Sequence, residues 1–207
     1  MKILVLSDIH GKTIEKANDI ADNYDLTLIA GDITHFGGYG DAMEILKTFI
    51  KDRTVFAVYG NCDNSHVGNC LDDLGINVHQ CKKSFEDISI GGFSGAPTSR
   101  FETPGEFPET EIARGLKYVK GCDILLTHAP AYGCALDMAP VGHIGSESIR
   151  KAIVNYAPRL HVCGHVHEAR GTDSLSKTLL VNPGPYFSGY YAEIDYGENI
   201  DIRLMEF

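Results

Sequence analysis

The feature that most constrains this chain is a series of short apolar runs, each followed closely by side chains that can bind a metal ion. Five runs have the length and the Val, Ile and Leu content of buried strands, and they cover residues 3–6, 26–30, 55–59, 124–126 and 160–163. The polar residues that follow them are Asp8, His10, Asp32, Asn61, His128, His165 and His167. Because open α/β sheets bind ligands outside the carboxyl ends of their strands, these side chains are expected to meet in one crevice.

The spacing of apolar residues predicts an α/β protein. Strands are predicted over 2–7, 26–30, 54–59, 77–79, 82–85, 88–93, 123–127, 160–163, 178–181, 189–195 and 200–206, and helices over 13–23, 41–51, 109–120 and 146–156. Ser146 is a candidate N-cap for the last helix. A long loop rich in Pro, Thr and Ser follows residue 93, and loops of that length usually carry function or move. Two packed sheets with helices outside is the expected architecture.

Composition narrows the class of partner. The 207 residues suit one domain over residues 1–207, since no linker or repeat marks a boundary. Lys and Arg total 18 against 28 for Asp and Glu, a formal charge of −10, which argues against nonspecific binding to nucleic acid. Six cysteines without a C-x-x-C pair are interpreted as reduced thiols. We find no leader and no apolar run of membrane-spanning length, so a cytoplasmic location is expected.

The residue types favour two divalent ions close together. Such a centre needs a bridging carboxylate, several neutral imidazoles and an oxygen donor that leaves positions open for water and substrate. Asp32 is the best candidate for the bridge, because a carboxylate after a strand and a glycine can present one oxygen to each ion. Asp8 and His10 stand two residues apart, as do His165 and His167. Mixed Asp, His and Asn ligation favours manganese, iron, nickel, cobalt or zinc over calcium or magnesium alone.

The ordered blocks resemble the calcineurin-like metallophosphoesterases. The blocks read S-D-I-H-G, A-G-D, Y-G-N-C-D, L-T-H-A-P and C-G-H-V-H, and the resemblance spans residues 8–167. It implies a four-layer α/β/β/α sandwich of two mixed sheets flanked by helices, and hydrolysis of small phosphate esters with two divalent transition metal ions, manganese foremost. It also implies that one ion is held by Asp8, His10, Asp32 and His167, and the other by Asp32, Asn61, His128 and His165. Asn61 and His128 are the expected catalytic residues, and a metal-bridging hydroxide would attack phosphorus in line.

One position departs from the family pattern. The usual G-N-H-D block is G-N-C-D here, so Cys62 replaces a histidine that in many relatives contacts phosphate and can protonate the leaving oxygen. A thiol is a poor replacement for that acid. A subgroup of small relatives that carries cysteine here suggests phosphodiester substrates, and we expect a phosphodiesterase. A phosphomonoesterase of the same fold is the alternative.

Several other residues are weighed against ordinary structural roles. His35, His66 and His143 are candidates for the missing proton donor, whereas His161 and His79 are expected to be structural. Arg100 and Arg170 could orient a phosphate but are more typical of surface arginines, and Asp63 could orient a neighbouring side chain. A catalytically silent interaction scaffold and a nuclease are the other functional alternatives. The sequence leaves open whether the chain forms a homo-oligomer.

Overall fold

The computed structural model describes residues 1–14, 20–51 and 53–207. Its strands are β1 (Lys2–Leu6), β2 (Leu26–Ala30), β3 (Thr54–Val58), β4 (Lys82–Phe85), β5 (Ile88–Phe93), β6 (Ala96–Pro97), β7 (Glu106–Phe107), β8 (Ile124–Thr127), β9 (Met138–Ala139), β10 (Gly142–His143), β11 (Leu160–Val162), β12 (Gly171–Leu175), β13 (Thr178–Asn182), β14 (Tyr190–Tyr196) and β15 (Ile200–Glu206). The helices are α1 (Tyr39–Ile50), α2 (Ser65–Asp73), α3 (Glu109–Gly115) and α4 (Glu147–Tyr156).

The strands form two large mixed sheets. One has the order β15-β14-β1-β2-β3, in which β1, β2 and β3 are parallel, β14 is antiparallel to β1, and β15 is antiparallel to β14. The other has the order β12-β13-β11-β8-β5-β4, with parallel central strands and an antiparallel strand at each edge. Two short ribbons, β6 with β7 and β9 with β10, lie outside these sheets. The predicted pair of mixed sheets is confirmed.

Three apolar cores define the order of the layers. The central core lies between the sheets and joins residues such as Val5 and Leu28 of the first sheet to Leu126 and Val162 of the second. The second core packs the outer face of the first sheet on α1 and α2. The third packs the outer face of the second sheet on α3 and α4. Because each strand alternates its side chains between two buried faces, both sheets are covered on both sides, which gives the expected α/β/β/α sandwich.

Local signals explain where two of the helices begin. The Ser146 side chain accepts a hydrogen bond from Ile149 N at 3.1 Å, so this residue caps α4 as predicted. The Asn64 side chain caps α2 in the same way, accepting from His66 N at 2.9 Å. Within the described ranges, every helix falls short of the length and apolar character that a membrane crossing requires.

The structure differs from the sequence prediction in a few elements. The sequence prediction omitted α2, because most of its residues have weak helix propensity, and it also omitted β12. The predicted strand at 77–79 forms only isolated bridges, Ala57 with Asn77 and His79 with Gly92. The predicted helix over 109–120 is α3 followed by a 3₁₀ turn, Leu116–Val119. Residues 15–19 of the predicted helix over 13–23 lie outside the described residues.

Candidate metal centre

The seven predicted ligand residues all follow the carboxyl ends of parallel strands. Asp8 and His10 follow β1, Asp32 follows β2, and Asn61 follows β3. His128 follows β8, while His165 and His167 follow β11. The first four residues therefore come from one sheet and the last three from the other, and they meet where the corresponding edges of the two sheets face each other.

Short distances connect these side chains around two buried carboxylates. His10 Nε2 and His128 Nε2 each lie 3.5 Å from Asp32 Oδ2. Asp8 Oδ1 lies 3.2 Å from His167 Nε2.

Asn61 and His165 lie on the His128 side of the cluster. Asn61 Oδ1 is 3.0 Å from His128 Nε2, and the His165 ring is centred 5.1 Å from that of His128. Three sets of side chains each bring their donor atoms within 4.8 Å of one another: Asp8, His10 and His167; Asp8, Asp32 and His128; and His10, Asp32 and Cys62. The structure thus brings all seven residues together, with Cys62 beside them. Their assignment as ligands stays a prediction.

Backbone strain is concentrated at this cluster. Asp8, His10, Asp32 and His165 have φ angles of +54°, +47°, +47° and +70°. The left-handed region is unfavourable for residues with a Cβ, and each such residue costs about 1–3 kcal/mol. The turns after the strands impose this conformation, and functional sites are where such strain is most often held.

Glycines in the motifs allow the loops to approach the carboxylates. A Cβ on Gly60 would lie 2.0 Å from Asp32 Oδ1. A Cβ on Gly164 would lie 1.7 Å from Ser7 Oγ and 2.7 Å from Asp8 Oδ2. These separations are far shorter than van der Waals contact, so only glycine fits at either position. The glycines before Asn61 and His165 are therefore part of how the cluster is packed.

Hydrogen bonds orient two of the histidine rings. His128 Nδ1 lies 2.7 Å from the carbonyl oxygen of Ala30, so this nitrogen donates and Nε2 faces Asp32. His35 Nδ1 lies 3.3 Å from His10 Nδ1, which leaves His10 Nε2 facing Asp32. Metal-binding histidines are commonly oriented through the ring nitrogen that does not bind the metal. The sequence indicated His35 only as a candidate proton donor, and the contact with His10 is evident only in the structure.

Asp63 joins the loop after β2 to the loop after β3. Its fully buried carboxylate accepts hydrogen bonds from Ile33 N at 2.9 Å and from Thr34 N and Oγ1 at 2.8 and 2.7 Å. It also accepts from Gly60 N at 2.9 Å. Asp32 and Asn61 stand next to these donors in the chain, so Asp63 fixes the separation of the two predicted ligands. Asp63 therefore holds backbone groups of two loops, whereas the sequence suggested that it orients a neighbouring side chain.

Charge pairing keeps both carboxylates ionised despite their burial. Burial alone would raise the pKa of Asp32, but the charge and hydrogen bonding of His128 outweigh it and hold the pKa well below its usual range. Burial opposes ionisation of Asp8 too, and the hydrogen bond with His167 leads the effects that lower its pKa. The same hydrogen bond raises the pKa of His167.

The remaining histidine rings respond to burial. Burial, and then the charge of His128, lowers the pKa of His165 to about 4, so this ring is neutral at pH 7. Burial also lowers the pKa of His10. Neutral imidazoles are the form that binds metal ions.

Several ligand-type atoms in the cluster have no other partner that would prevent them from binding a divalent cation. His10 Nε2 is buried and makes no hydrogen bond, although it lies 3.5 Å from Asp32 Oδ2. In the described part of the chain, the partners of Asp8 and Asp32 are histidine rings, Ser7, the Cys62 thiol and backbone N–H groups, with no Lys or Arg among them. Two adjacent buried carboxylates without a fixed cation are costly, and divalent ions would offset that cost. The donor set is one that first-row transition metals accept.

The other histidines considered from the sequence lie in different environments in the structure. His161 is buried in β11 with Nε2 2.8 Å from Thr127 Oγ1, and burial lowers its pKa to about 3, in agreement with a structural role. His79 Nδ1 accepts from Ser94 N at 2.9 Å, and its ring packs among aromatic side chains. His66 is exposed on α2, whereas His143 lines a cleft beside the cluster.

Neither arginine considered for phosphate binding reaches the cluster. The Arg170 guanidinium donates to the carbonyl oxygens of Pro183 at 3.1 Å and Met205 at 3.0 Å, and it lies over the ring of Tyr190. Arg100 is exposed and lies over the ring of Phe101 at 5.3 Å. Arg170 therefore has a structural role.

The fold and the site together define an α/β sandwich protein with a metal-type centre at the strand ends of two facing sheets. Residues 1–190 match the family model of the calcineurin-like phosphoesterase superfamily domain. The chain belongs to this superfamily. Membership implies a phosphoester hydrolase that uses divalent metal ions, and the ligand-type clusters agree with that.

Individual proteins are also similar to this chain. The chain is 35% identical over 194 residues to an uncharacterised protein of Methanocaldococcus jannaschii, a match that covers 89% of this chain and 88% of that protein. A crystal structure of a Thermus thermophilus protein is similar with a TM-score of 0.78 and 17% identity, covering 98% of this chain and 97% of that chain. An archaeal phosphodiesterase is similar with a TM-score of 0.59 and 18% identity, over 100% of both chains. At these identities the two structures show a shared fold.

Proposed function

We propose that this protein is a dinuclear, metal-dependent phosphodiesterase that hydrolyses small phosphodiesters. The observation that carries the proposal is the convergence of seven ligand-type side chains, from five strand ends, around the buried Asp32 carboxylate. A bridging carboxylate between two divalent ions is a recurring arrangement in enzymes that hydrolyse phosphate esters.

The side chains divide into two sets that share Asp32. One ion would be held by Asp8, His10, Asp32 and His167, and the other by Asp32, Asn61, His128 and His165. Manganese is the first candidate, with iron, nickel, cobalt and zinc as alternatives. Bound ions would supply Lewis acidity toward the phosphoryl oxygens and would lower the pKa of water at the site.

The protein's contribution is to fix the direction of its donor atoms. The Ala30 carbonyl and His35 hold the rings of His128 and His10 so that their Nε2 atoms face Asp32. The Asn61 side chain donates through Nδ2 to Thr103 Oγ1 at 3.1 Å, which directs its Oδ1 toward His128. Donors held this way need little reorganisation when a substrate binds.

The size of the adjoining cleft favours a diester over a monoester, whereas the Cys62 thiol limits the leaving group of either ester. Burial, followed by the charge of Asp32, raises the pKa of the Cys62 thiol well above its ordinary value, so this group is a weak proton donor for a leaving oxygen. A cleft of about 790 Å³ adjoins Asn61 and His165 and has room for a second ester group. The archaeal phosphodiesterase is a precedent for this activity on the same fold. A phosphomonoesterase is the alternative. Comparing the rates at which a diester and a monoester are hydrolysed distinguishes the two activities.

The test uses purified protein loaded with Mn²⁺. We expect kcat/KM for bis(4-nitrophenyl) phosphate to exceed that for 4-nitrophenyl phosphate by about tenfold or more. We also expect elemental analysis to find about two metal ions per chain. Asp32→Asn should lower kcat by about 100-fold or more because the shared carboxylate is lost, while Asp87→Asn, at an exposed position in the turn between β4 and β5, should not change it.

Each contrary result identifies a different alternative. Faster hydrolysis of the monoester would favour the phosphomonoesterase. Less than one metal ion per chain after Mn²⁺ loading would favour a catalytically silent scaffold. Full turnover by Asp32→Asn would refute the proposed centre.

A further inference from the structure

A cleft beside the candidate metal centre is lined by exposed apolar side chains, which are unfavourable on a loop surface that contacts only water. The cleft is lined by Asn61 and His165 and is therefore continuous with the site. One wall comes from the β6–β7 ribbon and the loop that joins its strands, and the other comes from the β9–β10 ribbon.

Four of the lining side chains are large, apolar and accessible. Phe36 is 54% exposed, Phe101 73%, Tyr132 41% and Val141 77%. Exposed apolar side chains grouped around one cavity are typical of a ligand-binding site. Because they flank predicted metal ligands, the group that they would contact is a part of the substrate other than its phosphate.

The charged side chains of the cleft indicate what that group can be. The lining includes the carboxylates of Glu106 and Glu168 but, among the described residues, no Lys or Arg. Glu106 already accepts hydrogen bonds from Ser99 and Thr103, at 2.7–3.2 Å. Arg100 lies over the Phe101 ring and does not line the cleft. An anionic group would meet negative charge here, whereas an uncharged aromatic group would find aromatic and aliphatic contacts.

One histidine provides a fixed polar contact in the same cleft. His143 Nδ1 lies 2.6 Å from Asp137 Oδ1, and its ring is centred 5.6 Å from that of Tyr132. Asp137 is fully buried and also accepts from Gly133 N and Gly145 N, each at 3.0 Å. The carboxylate thus holds the ring through Nδ1 and leaves Nε2 free for a polar edge of the ligand.

We propose that this cleft binds one ester arm of the phosphodiester, and that this arm is an uncharged aromatic group such as a substituted phenol or a nucleoside. The inference rests on the proposed function, since the phosphate itself is placed by the metal centre. Under this proposal, ester arms that carry a carboxylate or a further phosphate do not fit the cleft.

The test measures binding, and it uses diesters with poor leaving groups so that hydrolysis is slow during the titration. Calorimetry with the Mn²⁺-loaded protein compares dimethyl phosphate, methyl phenyl phosphate and methyl 4-carboxyphenyl phosphate. We expect methyl phenyl phosphate to bind about tenfold more tightly than dimethyl phosphate. The 4-carboxyphenyl compound should lose most of that gain.

A matched pair of variants locates the effect. Val141→Lys adds a cation to the cleft, and Val154→Lys adds one on α4 away from it. We expect Val141→Lys to improve binding of the carboxyphenyl compound relative to the phenyl compound. The ratio of their Kd values, carboxyphenyl over phenyl, should fall by about fivefold, the upper end for exposed ion pairs. Val154→Lys should leave the ratio unchanged.

The outcomes separate the two proposals. Equal binding of dimethyl and methyl phenyl phosphate, or tighter binding of the carboxylate, would overturn the inference even if bis(4-nitrophenyl) phosphate is hydrolysed. An aromatic preference without any hydrolysis of diesters would support the cleft's specificity and overturn the proposed activity. Equal effects of Val141→Lys and Val154→Lys would place the binding outside the cleft.

Discussion

His128 and Asp32 form a buried pair in which the histidine carries the proton when no metal ion competes for it. His128 Nε2 lies 3.5 Å from Asp32 Oδ2, while Nδ1 donates to the Ala30 carbonyl. Burial opposes protonation, but the negative charges of Asp32 and Asp8 outweigh it and raise the pKa of His128 to about 9. A metal ion and this proton therefore compete for the same nitrogen atom.

Metal binding should release a proton over the neutral range. Since the pKa of His128 is about 9, the affinity for Mn²⁺ should rise with pH and level off above about pH 9. Calorimetry at pH 7 in buffers of different ionisation enthalpy measures the release, and His128→Gln should abolish that component. An affinity independent of pH between 6 and 9 would contradict the assignment.

The free energy of unfolding of the metal-free protein should fall as the pH rises. The pKa of His128 is raised from 6.5 to about 9, so the pair stabilises the fold fully below about pH 6.5 and loses this effect as pH rises through about 9. The loss should be on the order of 2–3 kcal/mol. Thermal unfolding of chelator-treated protein from pH 6.5 to 9 measures it, and Mn²⁺ added at pH 9 should restore the Tm.

His35→Ala should weaken metal binding without removing a predicted ligand. The His35 ring contacts His10 through the two Nδ1 atoms, 3.3 Å apart, and loss of such an orienting partner typically costs about 10–100-fold in metal affinity. Competition with a chromogenic chelator measures this. His66→Ala, which removes an exposed histidine on α2, is the control. Equal affinities in the two variants would show that His35 does not orient the ring.

Asp63→Asn should both destabilise the fold and lower metal content. The amide can replace only part of the acceptor capacity that Ile33, Thr34 and Gly60 use, and an unsatisfied buried donor costs about 1–3 kcal/mol. Urea unfolding and elemental analysis measure the two effects, and Asp87→Asn is the exposed control. Normal metal content in Asp63→Asn would show that the clamp does not set the ligand positions.

Gly60→Ala should abolish metal binding in a protein that still folds. The added Cβ would lie 2.0 Å from Asp32 Oδ1 and 2.3 Å from the Asp32 backbone nitrogen, so the carboxylate and the loop after β2 must both move. Gly40→Ala, in the first turn of α1, meets open space and is the control that should keep its metal. Circular dichroism confirms folding and elemental analysis gives the metal content. Retention of metal by Gly60→Ala would mean that the loop has room to relax.

Cys62→His should broaden the range of leaving groups. A histidine at this half-buried position supplies a proton donor that the thiol does not, so hydrolysis of alkyl phosphodiesters should rise by about 100-fold. Esters of 4-nitrophenol need no such acid and should change little. Cys81→His, at an exposed thiol, is the control. A uniform change across both leaving groups would indicate altered binding and not proton donation.

Much of the fold followed from local patterns, because strands buried on both faces are continuous apolar runs with sharp ends. The boundaries of β2 agree with the prediction, and the Ser146 cap is confirmed. Helix α2 was missed because its stability comes from packing Val67 and Leu71 on the first sheet, and its sequence has little helical character of its own. The segment at 77–79 pairs too briefly to form a strand, which a period-2 pattern does not reveal.

The sequence by itself determined the architecture, the family and the inventory of chemical groups, since strand ends and residue types are local properties of the chain. Only the tertiary structure decided what surrounds that inventory. It placed His35 against His10, made Asp63 a clamp between two loops, and joined two separate ribbons into the cleft that contains Phe101 and His143. These contacts link residues far apart in the chain through backbone groups and loop packing, and such contacts have no local signature in the order of side chains.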